Sequence, residues 1–490
     1  IMGSKLAEKK VSRRGFLSVA ISAVVAGVVA GVGGYYAGLL SAPPAGAPIT
    51  STVTVPGGTT TVTQTTTTTF TTTATTTAPP PPAEKEIILG ASVSLTGAMG
   101  IFGQGSMFGH QKAVEDINKQ GGVDVGGRKL PIRYIAYDDT SDPTKAASLA
   151  AQLILSDKVH VLVHGAIPPV TSNPISVTAD RYKTPFVMSS PMEPWWAAGP
   201  YQYAWDMLFR IGTPIPSGDF RAGKREYTIV DIFFAYTDRF RAQTNEKVSI
   251  LACDDSDGRG WYGIFPGALA DKGYKPYGVE RNFGLYPPGT TDFTSLIREW
   301  RDNNCEIMWC NLPGPDFAVA WRQSVELGYR PKICIPARAA LFYEDVKAYG
   351  GDLPLGLGTE IWWHPSYPFE GIGGETCASL HDKWYTEKGM GPNMSVGFGY
   401  GSIQVVADAI ERAGTLDKDE VNRAIGQTDR TFINGRVKFM ADTHNSPPPI
   451  TFGQWVKTDK PWVWELVIVH SDHPEIKATH EPIFPLPPLK

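Results

Sequence analysis

Short apolar runs alternate with longer helix-forming stretches from residue 86 onward, and this alternation predicts a parallel α/β protein. The apolar run Ile87–Val93 is rich in β-branched residues and predicts a buried strand. A glycine-bearing loop at residues 94–105 comes next, followed by a predicted helix that ends at Gly121-Gly122 and a second predicted strand at residues 132–137. This β-α-β order implies right-handed crossovers between parallel strands. Ligands bind beyond the carboxyl ends of such strands, so the loop at 94–105 is the first candidate site.

The same alternation starts a second round near residue 211 and returns towards the first group of elements near residue 361. It predicts two α/β lobes that the chain crosses three times, which makes a hinge and a cleft able to close on a ligand. The predicted segments are residues 86–211 and 362–438 for the first lobe, 212–361 and 439–470 for the second, and a proline-rich tail at 471–490.

Two segments of different composition precede the lobes. Residues 12–17 (SRRGFL) with the Ala/Val/Gly-rich run after them are typical of a twin-arginine export signal; the alternative is an ordinary membrane helix behind a chance arginine pair. Proline follows both small-residue cleavage sites, so we expect residues 1–41 to stay as a membrane anchor, with cleavage as the other outcome. Residues 42–85 are rich in Thr and Pro, cannot bury apolar area, and are predicted to form a disordered stalk.

Composition and motif spacing argue against several functions. A formal net charge of −4 gives no basic field for nucleic acid. The 5 cysteines include no C-x-x-C pair, so structural zinc is disfavoured, while disulfide pairing stays open. The glycines from Gly103 to Gly109 begin too far after the strand for a dinucleotide fold, and the carboxylates at 254–257 fit a helix cap better than a calcium site. We therefore expect no catalytic residue, no cofactor and no metal.

Three motifs in the first lobe occur in a fixed order: S-L-T-G at residues 94–97, A-V-E-D-I-N-x-x-G-G at 113–122, and Y-D-D-x-S-D-P-x-K-A-A at 137–147. D-F-T-x-L-I at 292–297 and G-x-V-x-F at 435–439 follow in the remainder. Together they resemble the branched-chain amino-acid-binding family, the type I solute-binding proteins of ABC transporters. The resemblance spans about residues 86–469. The anchor and threonine stalk are similar to those of archaeal members.

The resemblance implies the type I periplasmic-binding-protein fold, with two Rossmann-like lobes and a three-segment hinge. It also implies a non-enzymatic, monomeric protein on the outer face of the cell membrane that delivers a small solute to an ABC permease and its ATPase. A membrane-anchored ligand sensor and a structural cell-surface protein are the alternatives.

The family holds an amino-acid ligand with hydroxyl and N–H groups after strands three and four of the first lobe, and with a carboxylate from the second lobe. This chain departs at each place. It has Ala166-Ile167-Pro168-Pro169 in the first position, where proline offers no N–H donor, and Met192-Glu193 in the second. Arg338 stands where the carboxylate is expected; it would repel an ammonium and attract an anion, or form an ion pair with Glu193 across the cleft.

Tryptophans on the predicted cleft loops favour a larger, flatter or more apolar solute than a branched-chain amino acid, although core packing is an alternative for each. We expect an amino-acid-like, amide or aromatic/carboxylate compound. The candidate ligand-binding residues are Ile101, Phe102, Gly103, Ala166, Ile167, Met192, Glu193, Trp195, Trp261, Gly314, Arg338 and Trp362.

Overall fold

The computed structural model describes residues 51–55, 58–62, 84–222 and 227–488. The chain divides into two compact units, Ile1–Pro82 and Ala83–Lys490. In the first unit, strands β1 (Ser51–Val55) and β2 (Gly58–Val62) form an antiparallel pair. These two strands lie within the predicted stalk, and β-branched Thr and Val favour strands. The disordered stalk over residues 42–85 stays a prediction. The expected export signal and anchor lie outside the described residues.

The second unit alternates strands and helices, as predicted. Its strands are β3 (Ile87–Val93), β4 (Val123–Asp124), β5 (Lys129–Leu130), β6 (Ile132–Asp138), β7 (Val161–Ala166), β8 (Phe186–Ser189), β9 (Ala204–Asp206), β10 (Lys247–Cys253), β11 (Lys275–Pro276), β12 (Leu285–Tyr286), β13 (Ile307–Asn311), β14 (Ile333–Ile335), β15 (Gly358–Ile361), β16 (Asp429–Phe432), β17 (Gly435–Lys438), β18 (Thr451–Lys457) and β19 (Trp464–His470). Its α-helices are α1 (Gly100–Lys119), α2 (Pro143–Leu155), α3 (Pro169–Arg181), α4 (Met192–Trp196), α5 (Ile229–Arg239), α6 (Ser256–Asp271), α7 (Thr294–Asp302), α8 (Gly314–Glu326), α9 (Tyr343–Tyr349), α10 (Cys377–Lys388), α11 (Ser395–Ala413) and α12 (Lys418–Gly426).

Two parallel sheets define the two lobes. The first has five strands in the order β6-β3-β7-β8-β9, and the second has the order β11-β10-β13-β14 with β12 also paired to β10. Helices cover the sheets, which is why strands such as β3 and β13 are buried along almost their whole length. An antiparallel sheet, β15-β18-β19, adds the last strands. The prediction of a two-lobed, parallel α/β protein is confirmed.

Helix α1 begins inside the stretch predicted as a loop. The prediction failed because glycines are typical of loops, whereas here they lie within a helix. A Cβ on Gly103 would lie 1.9 Å from the carbonyl oxygen of Ser94, and one on Gly109 would lie 2.2 Å from that of Val396 in α11. Glycine lowers helix propensity, but here it lets α1 pack closely on its neighbours. The glycine pattern that invited a dinucleotide interpretation therefore serves helix packing.

The element order gives three connections between the lobes, which follow β9, β15 and β17. The first and third are joined by buried Arg210, whose Nε donates to Asn445 Oδ1 (3.2 Å) and whose Nη1 donates to the carbonyl of Pro214 (2.9 Å). Asn445 in turn donates to Asp206 Oδ2 (2.6 Å) at the end of β9. The two segments are thus held side by side at the hinge.

Two local features set the bounds of elements in the second lobe. Helix α5 begins at Ile229, because Thr228 caps it by accepting from the backbone N–H of Asp231. A short 3-10 helix, Val279–Arg281, is flanked by left-handed Gly278 and Asn282. The chain then supplies β12, which pairs with β10 of the second sheet.

Candidate ligand-binding site

A small cavity lies where the carboxyl ends of the two parallel sheets face each other. Ala166 and Asn311 are the last residues of β7 and β13, Arg338 follows β14, and Asp257 lies in the first turn of α6 just after β10. The cavity has a volume of about 20 Å³, which is room for about one water molecule. A solute therefore has to separate the walls in order to enter.

The walls are largely apolar and come from both lobes and the hinge. Their residues are Phe102, Ala166, Ile167, Pro168, Pro191, Leu208, Phe209, Trp261, Leu341 and Trp362. Aromatic contacts hold the lobes together around them. Phe102 of the first lobe packs edge-on against Phe342 of the second, with ring centroids 4.6 Å apart, and Phe209 of the hinge packs on Trp261 at 5.8 Å. Such a lining suits an apolar or aromatic solute.

Arg338 and Asp257 are charged residues of the cavity lining, and Arg338 is paired with two aspartates of the second lobe. Its Nη1 donates to Asp257 Oδ2 (3.0 Å) and its Nη2 donates to Asp255 Oδ2 (2.9 Å). The guanidinium is buried, and a buried charge must be paired. The expected ion pair with Glu193 does not form, because Arg338 is paired within the second lobe. The same pairing disfavours an anionic ligand at Arg338, which stays an untested expectation.

Asp257 is held by further donors. Trp261 Nε1 donates to Asp257 Oδ1 (3.0 Å), and Asn311, with its amide turned to satisfy both neighbours, donates to Oδ2 (3.2 Å). Burial raises the pKa of Asp257 to about 6, against the opposing effect of Arg338. The carboxylates at 254–257 also serve as the helix cap that the sequence favoured, since Asp255 Oδ1 accepts from the N–H of Gly258 (2.8 Å).

Glu360, on β15, carries the second carboxyl group of the cavity lining. It is buried, and its Oε2 lies 2.9 Å from Thr359 Oγ1, which is also 3.2 Å from the carbonyl oxygen of Ala337. Burial raises the pKa of Glu360 to about 8, and the nearby charge of Asp257 adds to the shift. This shift favours the protonated form of Glu360 at neutral pH.

Three buried polar atoms of the lining have no hydrogen-bond partner among the described residues: Arg338 Nε, Glu360 Oε1 and Trp362 Nε1. Buried polar atoms in proteins are nearly always paired, because an unpaired one costs about 1–3 kcal/mol. All three belong to residues that line this cavity, which makes a molecule bound there a candidate partner for them.

Six of the twelve residues proposed from the sequence line this cavity, and six lie elsewhere. Those in the lining are Phe102, Ala166, Ile167, Trp261, Arg338 and Trp362. The structure also brings in residues that were not proposed as ligand contacts, namely Pro168, Pro191, Leu208, Phe209, Asp257, Asn311, Leu341 and Glu360. Most of them directly follow a strand or lie on a crossing segment, and that position was the one signal that could have found them.

Glu193 and Trp195, both proposed as ligand contacts, have structural partners instead. The Glu193 carboxylate accepts from the backbone N–H groups of Ile211 (2.7 Å), Gly212 (2.9 Å) and Thr213 (2.7 Å), which anchors the first hinge segment. Trp195 is fully buried, its Nε1 donates to Ser176 Oγ (3.0 Å), and it belongs to the core of the first lobe. The α4 turn that carries both residues therefore supports the lobe and its hinge.

The remaining four proposed residues make packing contacts. The carbonyl of Ile101 accepts from Asn393 Nδ2 (3.0 Å), and Gly103 packs on the backbone of Ser94. Met192 is buried and its N–H donates to the carbonyl of Phe209 (3.1 Å). Gly314 begins α8, where a Cβ would lie 2.4 Å from the carboxylate of Asp345.

The disulfide question left open by the sequence is answered by the structure. All five cysteines, each of which lies among the described residues, are free thiols and buried. Within residues 84–222 and 227–488, no group of His, Cys, Asp and Glu side chains has an arrangement that could hold a metal ion. None of the helices described combines the length and the apolar character that a membrane span needs.

Two α/β lobes, three connections and a cavity at the facing strand ends define a two-lobed ligand-binding protein. A family model described as "Periplasmic binding protein" matches residues 86–460. The chain belongs to the periplasmic binding protein family.

Similar proteins support this assignment. The Leu/Ile/Val-binding protein homolog 3 of Brucella melitensis is 24% identical over 227 residues, which are 46% of this chain and 54% of that protein. The match thus spans about half the length of that relative.

Solved structures share the fold at low sequence identity. The leucine-binding protein LivK of Thermotoga maritima superposes with a TM-score of 0.63 at 19% identity, covering 79% of this chain and 99% of that one. LivJ of Streptococcus pneumoniae, in complex with isoleucine, gives 0.61 at 17% identity with 78% and 100% covered. A solute-binding protein of Rhodopseudomonas palustris, in complex with 3,4-dihydroxybenzoic acid, gives 0.61 at 18% with 81% and 99% covered.

Proposed function

We propose that this protein is the extracellular solute-binding component of an ABC transporter. It captures a small solute between its lobes without altering it, and delivers the solute to a permease driven by an ATPase. The observation that carries the proposal is the apolar cavity between the lobes, at the carboxyl ends of both sheets, with three buried polar atoms that have no partner among the described residues. Two proteins of similar fold were solved in complex with isoleucine and with 3,4-dihydroxybenzoic acid, which supports a small organic solute for this protein.

The solute is an amino-acid-like, amide or aromatic compound rather than a plain branched-chain amino acid. A free amino acid needs an anion site for its carboxylate, but Arg338 is already paired with Asp255 and Asp257. Pro168, which lines the first-lobe wall, has no N–H to donate. The aromatic side chains of the walls, Trp261 and Trp362 among them, supply apolar area instead.

Attachment to the cell surface completes the proposal. Residues 12–17 and the apolar run after them direct export by the twin-arginine route and then anchor the protein, as in archaeal members of the family. The threonine-rich segment beyond them serves as a stalk, and the protein acts as a monomer. The same architecture would also suit a ligand sensor that docks a receptor, so the permease partnership is tested separately, by co-purification of the protein with a permease.

Thermal unfolding with a panel of small solutes tests the function. A ligand that binds only the folded state at 100 times its Kd adds about 2.7 kcal/mol to the free energy of unfolding and so raises Tm. We expect at least one amide or aromatic solute to do so, and Trp362→Ala to abolish the shift. Trp462→Ala is the matched control, because Trp462 packs on His381 and Tyr385 away from the cavity. A Tm unchanged by every solute, or a shift that survives Trp362→Ala, would contradict the proposal.

A further inference from the structure

The hydrogen-bonding capacity of the cavity restricts what it can hold. Arg338 Nε and Trp362 Nε1 each carry an N–H, so both unpartnered nitrogens are donors. The third unpartnered atom, Glu360 Oε1, is an acceptor if the carboxyl proton is on the other oxygen and a donor if the proton is on Oε1 itself. The position of that proton decides which solute is complementary to the cavity.

The contacts of Thr359 favour one position for the proton. The Thr359 hydroxyl has one hydrogen, yet its oxygen lies within hydrogen-bond distance of two oxygens, the carbonyl of Ala337 (3.2 Å) and Glu360 Oε2 (2.9 Å). With Glu360 ionised, the hydroxyl can donate fully to only one of them. With Glu360 protonated on Oε2, both contacts have a hydrogen, because the hydroxyl donates to Ala337 and Oε2 donates to Thr359 Oγ1. In that arrangement Oε1 is a carbonyl-type acceptor on a residue of the lining that also includes Arg338 and Trp362.

The charges around the cavity favour a solute without net charge. Arg338 is matched by Asp255 and Asp257, and the second of these is fully buried. A carboxylate entering here would face both aspartates and would find the guanidinium already shared between them. An ammonium would face the guanidinium and would find Asp257 already accepting from Arg338, Asn311 and Trp261. Either ion would lose its hydration without gaining a free countercharge.

We propose that the solute is a neutral carboxamide carried on an apolar or aromatic body. Its carbonyl oxygen accepts from Arg338 Nε and Trp362 Nε1, and its N–H donates to Glu360 Oε1. The apolar body lies between Phe102, Phe209 and Trp261, which separate as the lobes open and enclose the solute as they close. This inference rests on the proposed function and narrows it to one class of substrate.

The test compares three functional groups on the same skeletons. Acetamide, isovaleramide and benzamide are each titrated into the full-length protein at pH 7 by calorimetry, next to the acid and the amine of the same carbon skeleton. We expect at least one carboxamide to bind, and to bind at least tenfold more tightly than its acid and its amine, because a charged analogue leaves buried polar groups unpaired. An acid or an amine that binds as tightly as its amide overturns the inference.

The wider solute panel separates this inference from the function. If a charged solute binds in the cavity and no carboxamide does, the carboxamide assignment is wrong and the transport function stands. If no solute of either panel binds, both are wrong.

Two substitutions of Glu360 test the position of the proton. Glu360→Gln keeps a carbonyl at Oε1 and offers an N–H to Thr359 in place of the acid proton, so carboxamide affinity should stay within about threefold of the wild-type value. Glu360→Leu removes the acceptor and should weaken binding about tenfold or more. Glu375→Gln is the matched control, a buried glutamate just before α10 that does not line the cavity. Tenfold weaker binding by Glu360→Gln would show that an ionised carboxylate is needed, which contradicts the proposal.

Trp362→Phe keeps the proposal testable if Glu360→Leu fails to fold. It removes only the indole N–H and retains the aromatic ring. We expect it to weaken carboxamide binding about fivefold or more, since one buried carbonyl then loses a donor. Unchanged affinity would remove Trp362 Nε1 from the site and overturn the assignment of its role.

Discussion

Replacing Glu193 with alanine tests whether this residue holds the hinge. Its carboxylate accepts three backbone N–H groups in succession, from Ile211, Gly212 and Thr213, at 2.7, 2.9 and 2.7 Å. These residues form the first crossing between the lobes. Alanine at this position leaves all three N–H groups without their acceptor.

The expected loss in the free energy of unfolding follows from the number and the burial of these hydrogen bonds. A hydrogen bond to a charged group contributes about 1.5–3 kcal/mol. The N–H groups of Ile211 and Gly212 are partly buried, whereas that of Thr213 is exposed and can bond to water instead. Two effective losses, which are not fully additive, lower the free energy of unfolding by about 2–4 kcal/mol.

Urea unfolding followed by tryptophan fluorescence measures this change. With an m-value of about 3 kcal/mol/M, the midpoint for Glu193→Ala should fall by about 1 M. Glu193→Gln should lie between wild type and alanine, because it keeps an uncharged acceptor. Glu115→Ala is the control; this exposed glutamate pairs with Lys112 at the surface, and its loss should cost under about 1 kcal/mol. If Glu193→Ala lowers the free energy of unfolding by less than about 0.5 kcal/mol, the proposed role of Glu193 in holding the first hinge segment is refuted.

Three further predictions follow from burial. Burial lowers the pKa of both His110 and His164 to about 3, whereas in the unfolded chain they take up protons near pH 6.5. The free energy of unfolding should therefore be highest above pH 6.5 and decline as the pH falls towards 3. A series of Tm measurements against pH checks this, and the decline should be shallower for His164→Gln than for wild type. Trp195→Ala should lower the free energy of unfolding, measured in urea, by about 3–5 kcal/mol and leave the affinity of the folded protein for its solute unchanged. A loss of affinity measured by calorimetry would indicate that Trp195 contacts the solute. The five buried thiols should resist maleimide in the native protein, and all five should react in urea. Fewer than five reactive thiols in urea without reductant would indicate a disulfide.

The fold could be predicted further than the site because the two depend on different information. Periodicity marks buried strands such as β3 and β13 directly, since a strand covered on both faces must be apolar along its length. Helix α1 was the exception. The glycines of α1 that pack against Ser94 and α11 are the same residues that make a sequence read as a loop.

The residues of the site depend on the direction in which each side chain points and on its neighbours in the fold. The sequence pattern indicates little about either. Trp195 and Trp261 both follow strand ends and both are fully buried, yet only Trp261 lines the cavity. Arg338 lines the cavity, but its aspartate partners come from the start of α6, about eighty residues earlier in the chain. Glu360 was not proposed at all, because its importance comes from burial and from the single hydrogen of Thr359.

If the two lobes close on a solute, the distance between them shortens when the solute binds, and spin labels can measure that distance. Val177 on α3 and Glu326 on α8 are exposed on different lobes, and the native thiols are buried, so spin labels at Val177→Cys and Glu326→Cys report the separation of the lobes without interference. We predict a broad distance distribution without solute that collapses to a single shorter distance when the solute saturates the protein. A distribution that does not change on saturation would contradict closure of the lobes and the account built on it.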